Sequence, residues 1–231
     1  VLPQTQWQLD EIAHAMATSV AAHSVAAEAS GAGARTLDAG GLLANAGDRV
    51  QITINGTGSQ TYTFVAADDP PANTPGATTR YFQMGADANA TATNLKSAID
   101  ALAAGVSTSV AAGTGEVTVT DGAATVEAMS AEITLTELSS GDTGRVGAPV
   151  FADMYAGQVA YTDAPGGGGQ KTGFATRIAV NQELAESPER LVIMNDDTAT
   201  SERTPVGDPA RPMALAQRLA EQPMTFASST G

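Results

Sequence analysis

Alanine dominates the apolar part of this sequence, and this limits the kind of core that the chain can build. Hydrophobic residues are 42% of the 231 positions, but 45 of them are alanine, against 5 Phe, 4 Tyr and 1 Trp. A buried alanine removes little surface from water, whereas burying a leucine or phenylalanine stabilises by roughly 1.5–3 kcal/mol. We therefore expect thin layers of helix and sheet, without the deep apolar pocket that most enzymes use.

The charge balance and the absence of cysteine exclude further classes of function. The chain has 11 Lys and Arg against 25 Asp and Glu, a formal net charge of −14, and it has no cysteine. An acidic surface repels phosphate backbones, which argues against a nucleic-acid partner. No run of 18 apolar residues occurs, so no membrane-spanning helix is predicted. Without cysteine there can be no disulfide, thiolate metal site or cysteine nucleophile.

Two apolar stripes with helical spacing lie near opposite ends of the chain. The first belongs to a helix predicted from Trp7 to about Glu28, and the second to a helix predicted over Met213–Glu221 after Pro212. A narrow stripe on a helix of small residues needs another helix beside it, so we predict that the two pack together. The packing and assembly residues of this prediction are Leu9, Ile12, Met16 and Val20 in the first helix, and Met213, Leu215 and Leu219 in the second.

The middle of the chain changes from helical to alternating periodicity. Val50, Ile52 and Ile54 alternate with polar residues and lead into Asn55-Gly56, a strong hairpin signal. A second helix is predicted over Asn89–Ala104, because its apolar positions recur at helical spacing and Gly105 follows. The remaining strands are predicted at Tyr62–Ala66, Val106–Ala112, Glu116–Thr120 and Ala131–Leu138.

These elements predict an α+β fold with two parts. The middle forms a mostly antiparallel ββ-α-βββ unit over residues 47–140. Residues 1–46 and 141–231 form a discontinuous base, made of the first helix, short strands and the closing helix. Within the second half of the base, a short strand is predicted at Ile178–Val180 and a single helical turn at Gln182–Glu186.

The sequence offers no convincing catalytic, cofactor or metal site. His14 and His23 are nine residues apart on one predicted helix, which places them on opposite faces. The glycine run before Gln170-Lys171 lacks the glycine that a phosphate loop requires directly before its lysine. The acidic residues from Asn195 to Glu202 do not follow the spacing of a calcium-binding loop. We therefore predict no enzyme activity, no cofactor and no metal.

Two separated stretches resemble one protein family. Gln8–His23, which reads QLDEIAHAMATSVAAH, is similar to a helix of the first type of flagellar hook-associated protein, the protein of the hook–filament junction. Phe174–Asn181, followed by Leu184, then Gly207-Asp208 and Ala214-Leu215-Ala216, resembles the return segment of the same family. The 47–140 unit resembles inserts found in flagellar and phage-tail surface proteins. The family's terminal coiled-coil helices are not recognised, so the resemblance implies a central fragment.

This resemblance implies a structural role outside the cell. Such proteins are exported through the flagellar channel and assemble with copies of themselves and with hook and junction proteins, without catalysis. The sequence also leaves open a second class, an extracellular receptor- or glycan-binding module of an adhesin or phage tail, because the β-rich unit is rich in threonine.

Overall fold

A computed structural model describes residues 2–31, 33–138, 146–154, 158–165, 170–192, 204–205 and 207–221. The α-helices within these ranges are α1 Leu2–Ala21, α2 Ala39–Leu42, α3 Ala88–Asp100, α4 Gln182–Glu186 and α5 Ala210–Glu221. The strands are β1 Ala22–Ala26, β2 Glu28–Ala29, β3 Ala34–Asp38, β4 Arg49–Asn55, β5 Ser59–Ala67, β6 Thr79–Gln83, β7 Ser107–Val110, β8 Glu116–Thr120, β9 Thr125–Thr134, β10 Phe151–Asp153, β11 Val159–Ala160 and β12 Ile178–Val180. Short 3₁₀ helices lie at Phe174–Thr176 and Pro188–Leu191.

The predicted α+β class is confirmed by this mixture of helices and mainly antiparallel sheets. Among the described helices, none has both the length and the hydropathy needed to cross a membrane.

The chain groups into two compact units. Unit 1 contains residues 1–23, 134–163 and 168–231, and unit 2 contains residues 24–133 and 164–167. Residues 24–46 were predicted in the base but lie in unit 2. The reason is strand pairing, because β3 pairs along its whole length with β8, from Ala34 opposite Thr120 to Asp38 opposite Glu116.

Unit 2 is built on two sheets. One has the strand order β1-β9-β4-β5-β6, and the other has the order β2-β3-β8-β7. The predicted hairpin is present, with Asn55 opposite Ser59 and a connection wider than two residues. Its apolar face is buried as predicted, since Val50, Ile52 and Ile54 are all buried. Helix α3 begins after Asp87, whose carboxylate accepts the Ala90 N–H at 2.7 Å.

The differences from the prediction include two boundaries and one strand. The first helix ends at Ala21 instead of near Glu28, and the chain continues as β1 at the edge of the five-stranded sheet. Sheet pairing here overrides the helix propensity of alanine. The last strand begins at Thr125, because its pairing with β4 starts opposite Asn55. Strand β6 was not predicted, and it lies parallel to β5.

Unit 1 contains α1, α4, α5 and a small sheet in the order β11-β10-β12. Both pairings in this sheet are antiparallel, with Ala152 opposite Ala160 on one side and Ala179 on the other. The strand at Ile178–Val180 and the helical turn at Gln182–Glu186 are confirmed with the predicted bounds. The described core of this unit consists of two apolar clusters, both of which include residues of α1.

Candidate assembly site

The inner face of α1 is anchored by a buried carboxylate. Asp10 accepts the backbone N–H of Gly173 at 2.7 Å and that of Ala175 at 2.9 Å, and it also accepts the side-chain amide of Gln6 at 3.0 Å. Gly173 has a φ of 74°, the left-handed conformation that glycine adopts most easily. Asp10 thus binds the turn that leads into the 3₁₀ helix, and its own charge is compensated by hydrogen bonds.

Aromatic rings pack on the same face of α1, one and two turns further along. Phe174 is fully buried against Ala13, Ala17 and Tyr161. The rings of Phe174 and Tyr161 are stacked, with centroids 4.0 Å apart and planes inclined by 21°. The small alanine side chains let these rings approach the helix closely, which explains why an alanine-rich helix forms a stable contact here.

The C-terminal end of α1 packs against α5. Val20 and Leu215 are buried in one cluster together with Leu138, Ala148 and Leu184. Leu215 exposes only 4% of its surface. Each of the two predicted helical stripes therefore contributes one residue to this cluster.

Two arginine side chains of α5 donate hydrogen bonds to backbone carbonyls near this cluster. Arg218 of α5 donates to the Ala22 carbonyl at 2.7 Å. Arg211 is buried and donates to the carbonyls of Gly147 at 2.9 Å and Arg190 at 3.3 Å. Burial lowers the pKa of Arg211 by desolvating its guanidinium. The group nevertheless stays protonated at neutral pH, as arginine does in proteins.

The seven predicted packing residues divide into three groups. Val20 and Leu215 are buried in the same cluster. Ile12 and Met16 are half-buried. Leu9, Met213 and Leu219 are exposed, with 48%, 66% and 38% of their surface accessible. The expectation that Leu9, Met213 and Leu219 lie in the seam between the helices is therefore wrong.

The physical reason is a rotation of the helix by about one residue. The buried face of α1 is formed by Asp10, Ala13 and Ala17, each one position after a predicted apolar residue, which corresponds to a turn of about 100°. The hydrogen bonds of Asp10 and the ring contacts of the two alanines determine this orientation. Leu9 and the neighbouring Trp7 are consequently left about half exposed on the outer surface.

Sequence reasoning missed the residues that do most to organise this unit. Asp10, Tyr161 and Arg211 are all buried, although none lies at an apolar position of a stripe. A signal was present for Asp10 and Phe174, because both lie inside the two quoted family-like stretches. No local pattern marks Tyr161 or Arg211, since Tyr161 contacts His14 and Phe174, and Arg211 binds the carbonyls of Gly147 and Arg190, all distant in sequence.

The candidate metal, catalytic and phosphate-binding residues of the sequence lie partly inside and partly outside the described residues. Among the described residues, no three His, Asp or Glu side chains are grouped so that they could hold a metal ion. His14 contacts Tyr161 and Asp163, while His23 lies in β1. The acidic stretch Asn195–Glu202 and the glycine run 166–169 fall outside the described residues.

The chain shows little similarity to known proteins. No family model and no curated protein matches the chain. Among solved structures, it is weakly similar to the crystal structure of the flagellar cap protein FliD D1-D2-D3 domains from Escherichia coli. The two are 17% identical, and the match covers 62% of this chain and 44% of that chain with a TM-score of 0.19. At that TM-score, the similarity to a flagellar protein supports no conclusion about the fold or function of this chain.

Proposed function

We propose that this chain is a non-catalytic structural subunit of the bacterial flagellum, at the junction between hook and filament. The observation that carries the proposal is the coupling of the two stretches that resemble the hook-associated family. Asp10 of the first stretch binds the backbone of Gly173, directly before the second stretch, and of Ala175 within it. Phe174 of the second packs on Ala13 and Ala17 of the first.

This coupling gives a physical reason for both sequence patterns to occur together. A carboxylate buried at Asp10 is stable only when backbone donors reach it, and those donors come from the distant segment. The later part of the second stretch adds Leu184 and Leu215, which share a cluster with Val20. Two patterns that depend on each other are stronger support for the resemblance than either pattern alone.

Four exposed apolar side chains are the proposed assembly contacts. They belong to the two helices of unit 1: Trp7 and Leu9 on α1, and Met213 and Leu219 on α5. Burying such residues in an interface stabilises association, and aromatic residues are enriched where binding energy concentrates. The proposed partners are further copies of this protein and the hook and junction proteins, and the proposed location is extracellular, after flagellar export.

The test is an assembly measurement with matched variants. Co-sedimentation of the purified chain with purified hook and junction proteins is compared for wild type, Leu9→Ser and Met213→Ser, with circular dichroism to check folding. Val180→Ser is the control, because Val180 is an exposed apolar residue on β12 of the same unit. We expect weaker co-sedimentation for the two helix variants and no change for the control.

Two results would contradict the proposal. The first is the absence of any association of the wild-type chain with itself or with flagellar proteins. The second is specific binding on a glycan array by a chain that ignores flagellar partners, which would favour a glycan-binding module instead.

A further inference from the structure

A cluster of three side chains connects α1 to the segment after β11 within unit 1. His14 Nδ1 lies 2.8 Å from the Tyr161 hydroxyl oxygen and 3.4 Å from Asp163 Oδ1. The Tyr161 hydroxyl also donates to Asp163 Oδ1 at 3.4 Å. We propose that this cluster is a pH-responsive latch, in which protonation of His14 strengthens the attachment of residues 161–163 to α1. The proposal is independent of the flagellar assignment.

The tyrosine of the latch is held in place by the core. Tyr161 is almost completely buried and stacks on Phe174, which is itself buried against α1. Its ring meets that of His14 edge-on, with centroids 5.8 Å apart and an interplanar angle of 70°. A change in the protonation of His14 therefore alters the hydrogen bonds at a hydroxyl group whose position is already determined.

The aspartate of the latch has an unusual backbone. Asp163 has a φ of 58°, in the left-handed region that residues other than glycine seldom adopt and that Asp and Asn tolerate best. In this conformation its carboxylate meets both His14 and Tyr161. His14 and Asp163 keep 19% and 21% of their side chains exposed, so protons from solvent reach the pair.

The direction of the pH effect follows from the donors and acceptors. Neutral histidine can either accept or donate one hydrogen bond at Nδ1, whereas the imidazolium always donates there. Its positive charge then faces the Asp163 carboxylate, and an opposite charge at this distance favours the charged form. In the proposed latch, the ion pair with Asp163 therefore adds stability while His14 is protonated, and this contribution is lost when His14 deprotonates as the pH rises.

Other charged groups packed around α1 are engaged elsewhere. On α1 itself, Asp10 accepts backbone N–H groups, and Glu11 pairs with Lys171 at 2.8 Å. The 3₁₀ helix at Phe174–Thr176 has no ionisable side chain. Of the remaining charged neighbours, Arg177 binds the carboxylate of Asp153. Arg211 and Arg218 each bind backbone carbonyls. Glu221 is exposed at the end of α5. Among the described residues, Asp163 is a carboxylate that lies against His14.

The test is a histidine titration by NMR on the full chain. The titration midpoint of His14 is compared between wild type and Asp163→Asn, which removes the charge while keeping a residue suited to the left-handed backbone. We expect the midpoint of His14 to fall in the variant, while that of His23 stays in place as an internal control. An unchanged midpoint for His14 would overturn the proposal.

A second measurement tests the consequence for the fold. Unfolding by denaturant is followed at pH 8 and pH 5.5 for wild type, His14→Gln and His23→Gln. We expect the difference in stability between wild type and His14→Gln to be larger at pH 5.5, and the corresponding difference for His23→Gln to change less. Equal differences for His14→Gln at both pH values would refute the latch. If His14→Gln does not fold, the NMR comparison of the His14 midpoint between wild type and Asp163→Asn tests the latch by itself.

Discussion

At the residue scale, the most informative position is Asp10. The carboxylate is buried yet binds two backbone N–H groups that come from more than 160 positions later in the chain. Helical spacing alone would assign this position to the polar side of α1. An ionised group can be buried there only because the Gly173–Ala175 turn supplies its donors.

Removing this carboxylate is expected to destabilise unit 1. Asp10→Ala leaves the Gly173 and Ala175 N–H groups without their acceptor, and an unsatisfied buried donor costs about 1–3 kcal/mol. We expect a loss of about 2–4 kcal/mol in the free energy of unfolding, and a smaller loss for Asp10→Asn, which keeps one oxygen acceptor. Denaturant unfolding followed by the fluorescence of Trp7, the single tryptophan, measures the effect.

The control for this substitution is Asp69→Ala, the same change at an exposed loop position. A surface change of this kind is expected to alter stability by no more than about 0.5 kcal/mol. Equal effects of the two substitutions would contradict the anchoring role of Asp10.

A second residue-scale prediction concerns the hairpin of unit 2. Hydrogen bonds from Ser59 at 2.6 Å and Asn55 at 2.8 Å hold the pKa of the Glu127 carboxyl below its ordinary value of 4.5. Because the folded pKa is depressed, this contribution to stability is present above the unfolded value and is lost as the pH falls through the folded pKa. Glu127→Gln should therefore reduce the acid sensitivity of unfolding below about pH 4.5.

The measurement compares denaturant unfolding of wild type and Glu127→Gln at neutral pH and at successively lower pH values. Glu28→Gln, the same change at another exposed strand residue, is the control. A gap between wild type and Glu127→Gln that stays constant at all pH values would exclude this role for the carboxylate.

At the element scale, α5 provides a matched pair of leucines one turn apart. Leu215 is buried with Val20, whereas Leu219 keeps 38% of its surface exposed. Leu215→Ala is expected to cost about 2–5 kcal/mol, since it leaves a cavity in the cluster. Leu219→Ala should cost less than about 1 kcal/mol. Thermal unfolding of both variants measures the difference, and a reversed order would show that the helix faces are assigned incorrectly.

The outer edge of strand β6 is another element-scale feature that the sequence did not reveal. The side-chain amide of Asn73 donates to the Tyr81 carbonyl at 2.9 Å and accepts the Tyr81 N–H at 2.7 Å. One side chain thus takes the place of a neighbouring strand at this position. Exposed strand edges invite pairing with other chains, so the loop with Asn73 protects the sheet from unwanted association.

At the scale of the whole molecule, each of the two units contains buried apolar residues. Val119 is fully buried on β8 in unit 2, and Leu215 is buried in unit 1. Substitutions that share no partner usually add to within about 0.5 kcal/mol. We therefore expect the losses of Val119→Ala and Leu215→Ala to be additive in the double variant. Calorimetry of the two single variants and the double variant tests this, and a large coupling energy would contradict it.

The sequence alone determined the features that depend on local periodicity. The alternation of Val50, Ile52 and Ile54 and the Asn55-Gly56 turn predict their elements correctly, because burial on one face of a strand imposes a period of 2. The helical stripe from Ala88 to Leu102 predicts α3, but the helix ends at Asp100 and not at Ala104. The α+β class follows from these elements. Of the seven residues that the same local reasoning placed between the two ends of the chain, Val20 and Leu215 share one buried cluster.

Tertiary structure alone decided which face of α1 is buried, where β1 begins and how His14 meets Asp163. Each of these depends on groups far apart in the chain, whose contacts leave no periodic trace in the sequence. Asp10 is buried because Gly173 and Ala175 donate to it, and Leu9 is exposed because that bond and the rings packed on Ala13 and Ala17 orient the helix. In a helix this rich in alanine, hydrophobic burial differs little between faces, so distant hydrogen bonds and ring contacts decide the orientation.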